Sequence, residues 1–176
     1  MNIAYLLRAP ITLTVIIICV AVYLMQSNPL ISGKYAYHYY MIRQGQFYRF
    51  LTGGFLHVTP MHLIMNMYSL YNLGTYMEFY LGPIRYTILL LGAIIFGNLF
   101  CYLLKVRSAV GLSGGLYGLM LMYICMMLRF TNISLVEILR MNLVNILINF
   151  MPGIAWQAHV GGGCFGVLMA VVYMFI

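Results

Sequence analysis

Long apolar runs joined by short connections dominate this chain and constrain its fold more than any motif does. A helix needs roughly 20 mostly apolar residues to cross the hydrocarbon layer, and shorter spans are tolerated. Six segments qualify: Ala9–Met25, Met61–Leu81, Ile84–Leu104, Ser113–Leu128, Ser134–Phe150 and Ile154–Ile176. The fifth is the most polar, since it carries Glu137, Arg140, Asn142, Asn145 and Asn149. Only 6% of residues are charged, against about 25% in a soluble domain. Too few charges exist to cover a water-facing surface, so lipid is the expected solvent. The expected fold is an all-α membrane bundle of six transmembrane helices, forming a single domain over residues 1–176.

Arg8 followed by Ile11–Met25 resembles a signal peptide, but Tyr23-Leu24-Met25-Gln26 lacks the small residues that a signal peptidase needs. A retained first span is expected. The one long connection, Gln26–Pro60, interleaves Tyr35, Tyr37, Tyr39, Tyr40, Phe47, Tyr48 and Phe50 with Lys34, Arg43 and Arg49. Such rings settle at head-group depth, so short helical pieces in or on one leaflet are expected. Nine Lys and Arg face two Glu and no Asp, a net charge of +7 that suits anionic lipid. Nucleic acid is not an expected partner, because the basic residues are scattered singly. If the N-terminus is cytoplasmic, Arg8, Arg85, Arg129 and Arg140 face inward, while Lys34, Arg43, Arg49, Lys105 and Arg107 face outward. That count does not decide orientation.

No cofactor or metal is expected. The four cysteines, Cys19, Cys101, Cys125 and Cys164, form no C-x-x-C pair. His57 and His62 are five apart with Pro60 between them, which is not a helical ligand spacing.

Polar residues at membrane depth mark function or helix contact. His57, His62 and Asn66 open the second segment, Ser113 opens the fourth, and His159 lies near the start of the sixth. In a six-span chain these even-numbered segments all start on one side, so the polar groups share one depth zone. Gly111-Leu112-Ser113-Gly114-Gly115 matches G-x-S-x-G. The nucleophile elbow of soluble hydrolases needs a preceding strand, so taken by itself the motif reads first as a Gly/Ser helix-packing patch. His159 is either a structural histidine or a general base able to activate serine. Gly114 and Gly118, and Gly162 and Gly166, are four apart, and such small-xxx-small faces let helices approach closely. That approach would bring Ser113 near His159. Tyr117 lies one turn below Ser113, where it can pack on the imidazole or serve as core. His62 and Asn66 share a helix face and can donate toward a developing oxyanion. Glu78 lies sixteen residues beyond His62, about 24 Å along a helix, and Glu137 starts at the opposite side. A serine hydrolase built on this chain would therefore have a Ser–His dyad without an acid.

Taken together, Gly111-Leu-Ser113-Gly, Ala158-His159-Val-x-Gly162-x-x-x-Gly166 and His57-x(4)-His62-x(3)-Asn66 resemble the rhomboid intramembrane serine proteases. The resemblance covers essentially the whole chain. It implies a rhomboid-like six-helix bundle with a long interfacial first loop. Ser113 would be the nucleophile and His159 the base. His62, Asn66 and the Ser113 backbone N–H would hold the oxyanion, and Tyr117 would stack on His159. Tyr48-Arg49 resembles an aromatic–Arg pair that is usually Trp-Arg. Arg49 and Glu78 would be structural and His57 supporting. Substrates would be transmembrane segments of other membrane proteins, entering near the second and fifth helices. Bacterial members place the N-terminus in the cytoplasm and the site outward, so a bacterial inner membrane is the implied location. The Asn142, Asn145 and Asn149 stripe faces either the cavity or the second helix. Two rivals remain: a catalytically silent rhomboid-like binding protein, and a small transporter, although inverted repeats are absent.

Overall fold

The computed structural model describes residues 3–143 and 153–175. After a short α1 (Ile3–Leu6), α2 (Pro10–Met25) begins with proline at a position where the missing N–H costs nothing. The segment that follows folds into short pieces: α3 (Pro29–Tyr35), β1 (Tyr37–His38), α4 (Tyr39–Arg43) and α5 (Arg49–Thr52). The second apolar segment is helical from Pro60 to Leu81 as α6 (Pro60–Ser69), a π-turn (Leu70–Gly74) and α7 (Thr75–Leu81). Then come α8 (Pro83–Leu103), β2 (Ser108–Ala109), α9 (Ser113–Phe130), α10 (Leu135–Met141) and α11 (Trp156–Phe175).

The fold is mostly helical. Among the described residues, α8 and α9 are long and apolar enough to cross a membrane, and α2 is a shorter apolar helix. Two features depart from the all-α expectation. Tyr37–His38 pairs antiparallel with Ser108–Ala109, a two-residue ladder joining the first loop to the segment before Ser113. The second apolar segment carries the π-turn in its middle. The described helix within the fifth segment is Leu135–Met141, opened by a capping box between Ser134 and Glu137. Asn142 donates to the Ile138 carbonyl of its own helix at 2.9 Å. Asn145 and Asn149 lie outside the described residues.

α8, α9 and α11 form the centre. Glycines line the closest approaches between them. A methyl group on Gly162 would overlap the Gly114 carbonyl, and one on Gly166 the Gly118 carbonyl. α8 joins the same seam: a methyl on Gly97 would lie 2.6 Å from the Ala158 carbonyl, and one on Gly161 2.6 Å from that of Phe96. Close backbone approach of this kind replaces the hydrophobic drive that lipid cannot supply.

Both ends of α2 are tied to the second apolar segment. At its start, both Glu78 carboxylate oxygens accept backbone N–H groups, from Ile11 at 2.9 Å and Thr12 at 2.7 Å. These are first-turn donors with no helical partner, and a buried carboxylate answers two of them. Thr12 also donates its hydroxyl to Tyr86 at 2.9 Å. At its far end, the Gln26 side-chain amide donates to the His57 carbonyl, while its oxygen accepts the His57 N–H at 3.1 Å.

Candidate active site

α6 starts where it does because Thr59 caps it, its hydroxyl accepting the His62 N–H at 3.1 Å, with Pro60 next. That cap sets His62 in the first turn and Asn66 one turn on. α9 starts at Ser113 with no side-chain cap on its leading N–H groups. The positive end of an 18-residue helix therefore sits at the serine. α11 starts at Trp156, which leaves His159 in its first turn. Ala158, beside it, has its carbonyl against Gly97 and Gly114, so the seam of glycines fixes where His159 stands.

His159 Nε2 lies 2.8 Å from Ser113 Oγ. Ser113 is half-buried, and His159 is buried at 6% exposure. The Tyr117 ring stacks on the His159 ring with centroids 4.1 Å apart and planes 6° from parallel. A flat stack one helical turn from the serine limits rotation of the imidazole. Neither carboxylate side chain is near: Glu78 holds the start of α2, and Glu137 accepts from Ser134 at the start of α10.

His62 reaches the serine loop through Gly111. This glycine has φ +123°, and a methyl on it would lie 2.6 Å from His62 Cε1 and 2.8 Å from Nε2. Only glycine combines that backbone conformation with room for the ring. Its N–H donates to the Gly53 carbonyl at 3.0 Å, which anchors the loop. Asn66 is buried, and its amide donates to the His62 carbonyl at 3.0 Å. In this arrangement the Asn66 amide turns to its own helix.

His57 is 1% exposed and meets His62 edge-on, ring centroids 5.1 Å apart. Burial, with a smaller contribution from the positive charge available to His62, pushes its pKa down to about 4; the Phe55 carbonyl opposes this weakly. Arg49 lies away from the serine, buried in the first loop. It donates to the Ala36 and Gly33 carbonyls at 2.6 and 2.9 Å and to Gln46 Oε1 at 2.7 Å. Tyr48 donates to the Lys34 carbonyl at 3.0 Å and lies beside the Arg49 guanidinium. These two residues hold the loop in shape. Gly162 and Gly166 serve the seam described above.

The structure also brings in residues that the sequence patterns left unremarked. Gln26 clamps His57, and Asn98 donates to the Phe50 carbonyl at 2.8 Å, tying α8 to the first loop. The available signal was a polar amide at the end or middle of an apolar segment.

The Rhomboid domain family model matches residues 44–175 of the chain. Among curated proteins, the Rhomboid protease GlpG of Yersinia pestis (strain Pestoides F) is 28% identical over 114 residues, covering 63% of this chain and 41% of that protein. The GlpG of Yersinia pseudotuberculosis serotype O:3 (strain YPIII) matches with the same figures. Inactive RHOMBOID-like protein 8 of Arabidopsis thaliana is 33% identical over 125 residues, covering 66% of this chain and 35% of that protein. The matched stretch spans about two fifths of the length of the GlpG relatives.

Proposed function

This chain belongs to the rhomboid family, and from that membership we propose that it is an intramembrane serine endopeptidase cutting transmembrane segments of other membrane proteins. One observation carries the proposal: the 2.8 Å contact between His159 Nε2 and Ser113 Oγ. A serine hydroxyl attacks a peptide carbonyl well only when a base takes its proton. With the proton on Nδ1, Nε2 accepts from the hydroxyl, and the Tyr117 stack holds the ring in line. Ser113 then bonds to the carbonyl carbon and its proton passes to His159. The tetrahedral oxygen collects negative charge, which the uncapped N–H groups opening α9 and the His62 ring stabilise. A donor at that point is worth about 3 kcal/mol of barrier. His159 returns the proton to the leaving amine, and water hydrolyses the acyl-enzyme by the same route in reverse. The engagement of Glu78 and Glu137 as helix caps supports a dyad over a triad. A six-span topology with the N-terminus cytoplasmic, the first loop interfacial and the site opening outward completes the proposal.

The likeness to an inactive relative favours a second reading, a membrane protein that binds transmembrane clients without cutting them. Purified protein in liposomes, given a transmembrane reporter and a fluorophosphonate probe, separates the two. Cleavage and labelling that both vanish in Ser113→Ala support the protease. A reporter left intact by the parent, with Ser113 unlabelled, supports the binding protein.

A further inference from the structure

A cavity lies at the end of the bundle opposite Ser113. It has a volume of about 210 Å³. Its walls come from four elements: Tyr80 and Leu81 at the end of α7, Arg85 at the start of α8, Met122, Met126 and Phe130 along α9, and Tyr173 in α11. The floor is apolar, since Met122 and Met126 are buried. Phe130 is exposed at the mouth. Met122 lies eight residues before Phe130, so the cleft runs about 12 Å along α9.

Arg85 gives the lining one cation, and Arg129 is the sequence neighbour of Phe130. The Arg85 guanidinium lies 5.4 Å from the Tyr173 ring centre, and that of Arg129 lies 5.6 Å from the Phe130 ring centre. Among the described residues no carboxylate pairs with either arginine, and Glu78 spends both oxygens on α2. Arg85 also stands in the first turn of α8, where the helix dipole disfavours a cation. The Tyr173 hydroxyl is buried and makes no hydrogen bond within the described residues. A cleft with buried methionines at its floor, an unneutralised cation and an unanswered hydroxyl in its wall matches one kind of occupant.

We propose that this cleft is a binding site for an anionic phospholipid, with its phosphate at Arg85 and Tyr173 and part of one acyl chain against Met122 and Met126. The volume is below that of sites that enclose a whole small ligand, so most of the lipid stays in the bilayer. Unbranched thioethers adapt to an irregular chain. Arg129, next to Phe130 in sequence, adds long-range charge. The lipid would brace the ends of the helices whose other ends carry His62, Ser113 and His159. The inference rests on the chain being membrane-embedded and is independent of proteolysis.

The test therefore uses Ser113→Ala protein in neutral detergent. Phosphatidylglycerol, phosphatidylcholine with the same acyl chains, and inorganic phosphate are titrated while thermal unfolding and native mass spectra are recorded. The expected result is a saturable rise in Tm with phosphatidylglycerol and a retained adduct of one lipid, with no comparable rise from the other two. Arg85→Gln should weaken apparent affinity about fivefold. Met126→Phe, which fills the cleft and keeps the charge, should remove the adduct. Arg43→Gln, at the opposite end, should change neither. An equal response to phosphatidylcholine overturns the proposal, as does an equal response to inorganic phosphate. Undiminished phosphatidylglycerol binding by Arg85→Gln does the same, even if Met126→Phe fails to fold.

Discussion

The Tyr117 ring lies 4.1 Å from the His159 ring and within 6° of parallel, so the imidazole is held by a face rather than by a carboxylate. In an acid-assisted triad a carboxylate fixes the tautomer and angle of the histidine. Here an aromatic surface supplies the angle, an interaction worth about 1 kcal/mol. Tyr117→Phe keeps the surface and should retain kcat within about twofold, whereas Tyr117→Ala should lose roughly fivefold. Cleavage of a transmembrane reporter at saturating concentration measures the difference. Equal rates for the two variants would remove the ring from the mechanism.

Gly111 and His62 are coupled by contact. A methyl on Gly111 would lie 2.6 Å from the His62 ring, so Gly111→Ala should displace that ring and lower kcat by about 100-fold, the scale of losing an oxyanion donor. The part of the loss owed to the ring should disappear when Gly111→Ala is made on a His62→Ala background, leaving only the backbone strain at φ +123°. A double-mutant cycle reads this coupling directly. Additive losses would show that the two residues act separately.

The glycine seam predicts a contrast between near neighbours. Gly166→Ala drives a methyl into the Gly118 carbonyl, which cannot move without moving α9. A cost of about 2 kcal/mol or more is expected. Gly163→Ala meets only the Leu121 side chain, at 3.2 Å, and should cost under about 0.5 kcal/mol. Thermal unfolding in detergent distinguishes them, and equal Tm values would mean that α9 and α11 are less tightly seated.

His57 gives stability a pH dependence. Its pKa is lowered to about 4 by burial and by His62, against an ordinary value of 6.5. Between those values the unfolded chain binds a proton that the folded chain refuses. Stability is therefore intact above pH 6.5 and falls as pH drops toward 4, by at most about 1.4 kcal/mol per pH unit from this group. His57→Asn should flatten the slope over that window, whatever its stability at neutral pH. Denaturant melts at pH 4.5, 5.5 and 7 would test this, and an unchanged slope would assign the acid sensitivity elsewhere.

What the sequence made legible follows from how membranes treat polarity. Ser113, His159 and Tyr117 stand out because an alcohol, an imidazole and a phenol are costly among apolar neighbours, and helical spacing then puts Tyr117 one turn from the serine. The glycine pairs on α9 and α11 are legible from their spacing. The share of α8 in the same seam went unread, although Ala93 and Gly97 stand four apart on that helix. The ladder between Tyr37–His38 and Ser108–Ala109 joins segments about seventy residues apart and leaves no local pattern in strands this short. Gln26 reads as the polar end of a span, and nothing near it announces His57 as its partner. Asn66 appeared on the expected helix face, yet its amide turns back to the His62 carbonyl, a choice between two acceptors that spacing alone cannot make.

The ties at Glu78 and Gln26 also bear on where a guest helix would enter if the proposed function holds. Glu78 fastens the start of α2 to α7, and Gln26 fastens its end to His57, which leads into α6. Two staples at opposite ends make a plank of the first two spans, which can tilt as a body but cannot gape along their shared edge. Under the proposed function, the doorway is expected along some other edge of the bundle.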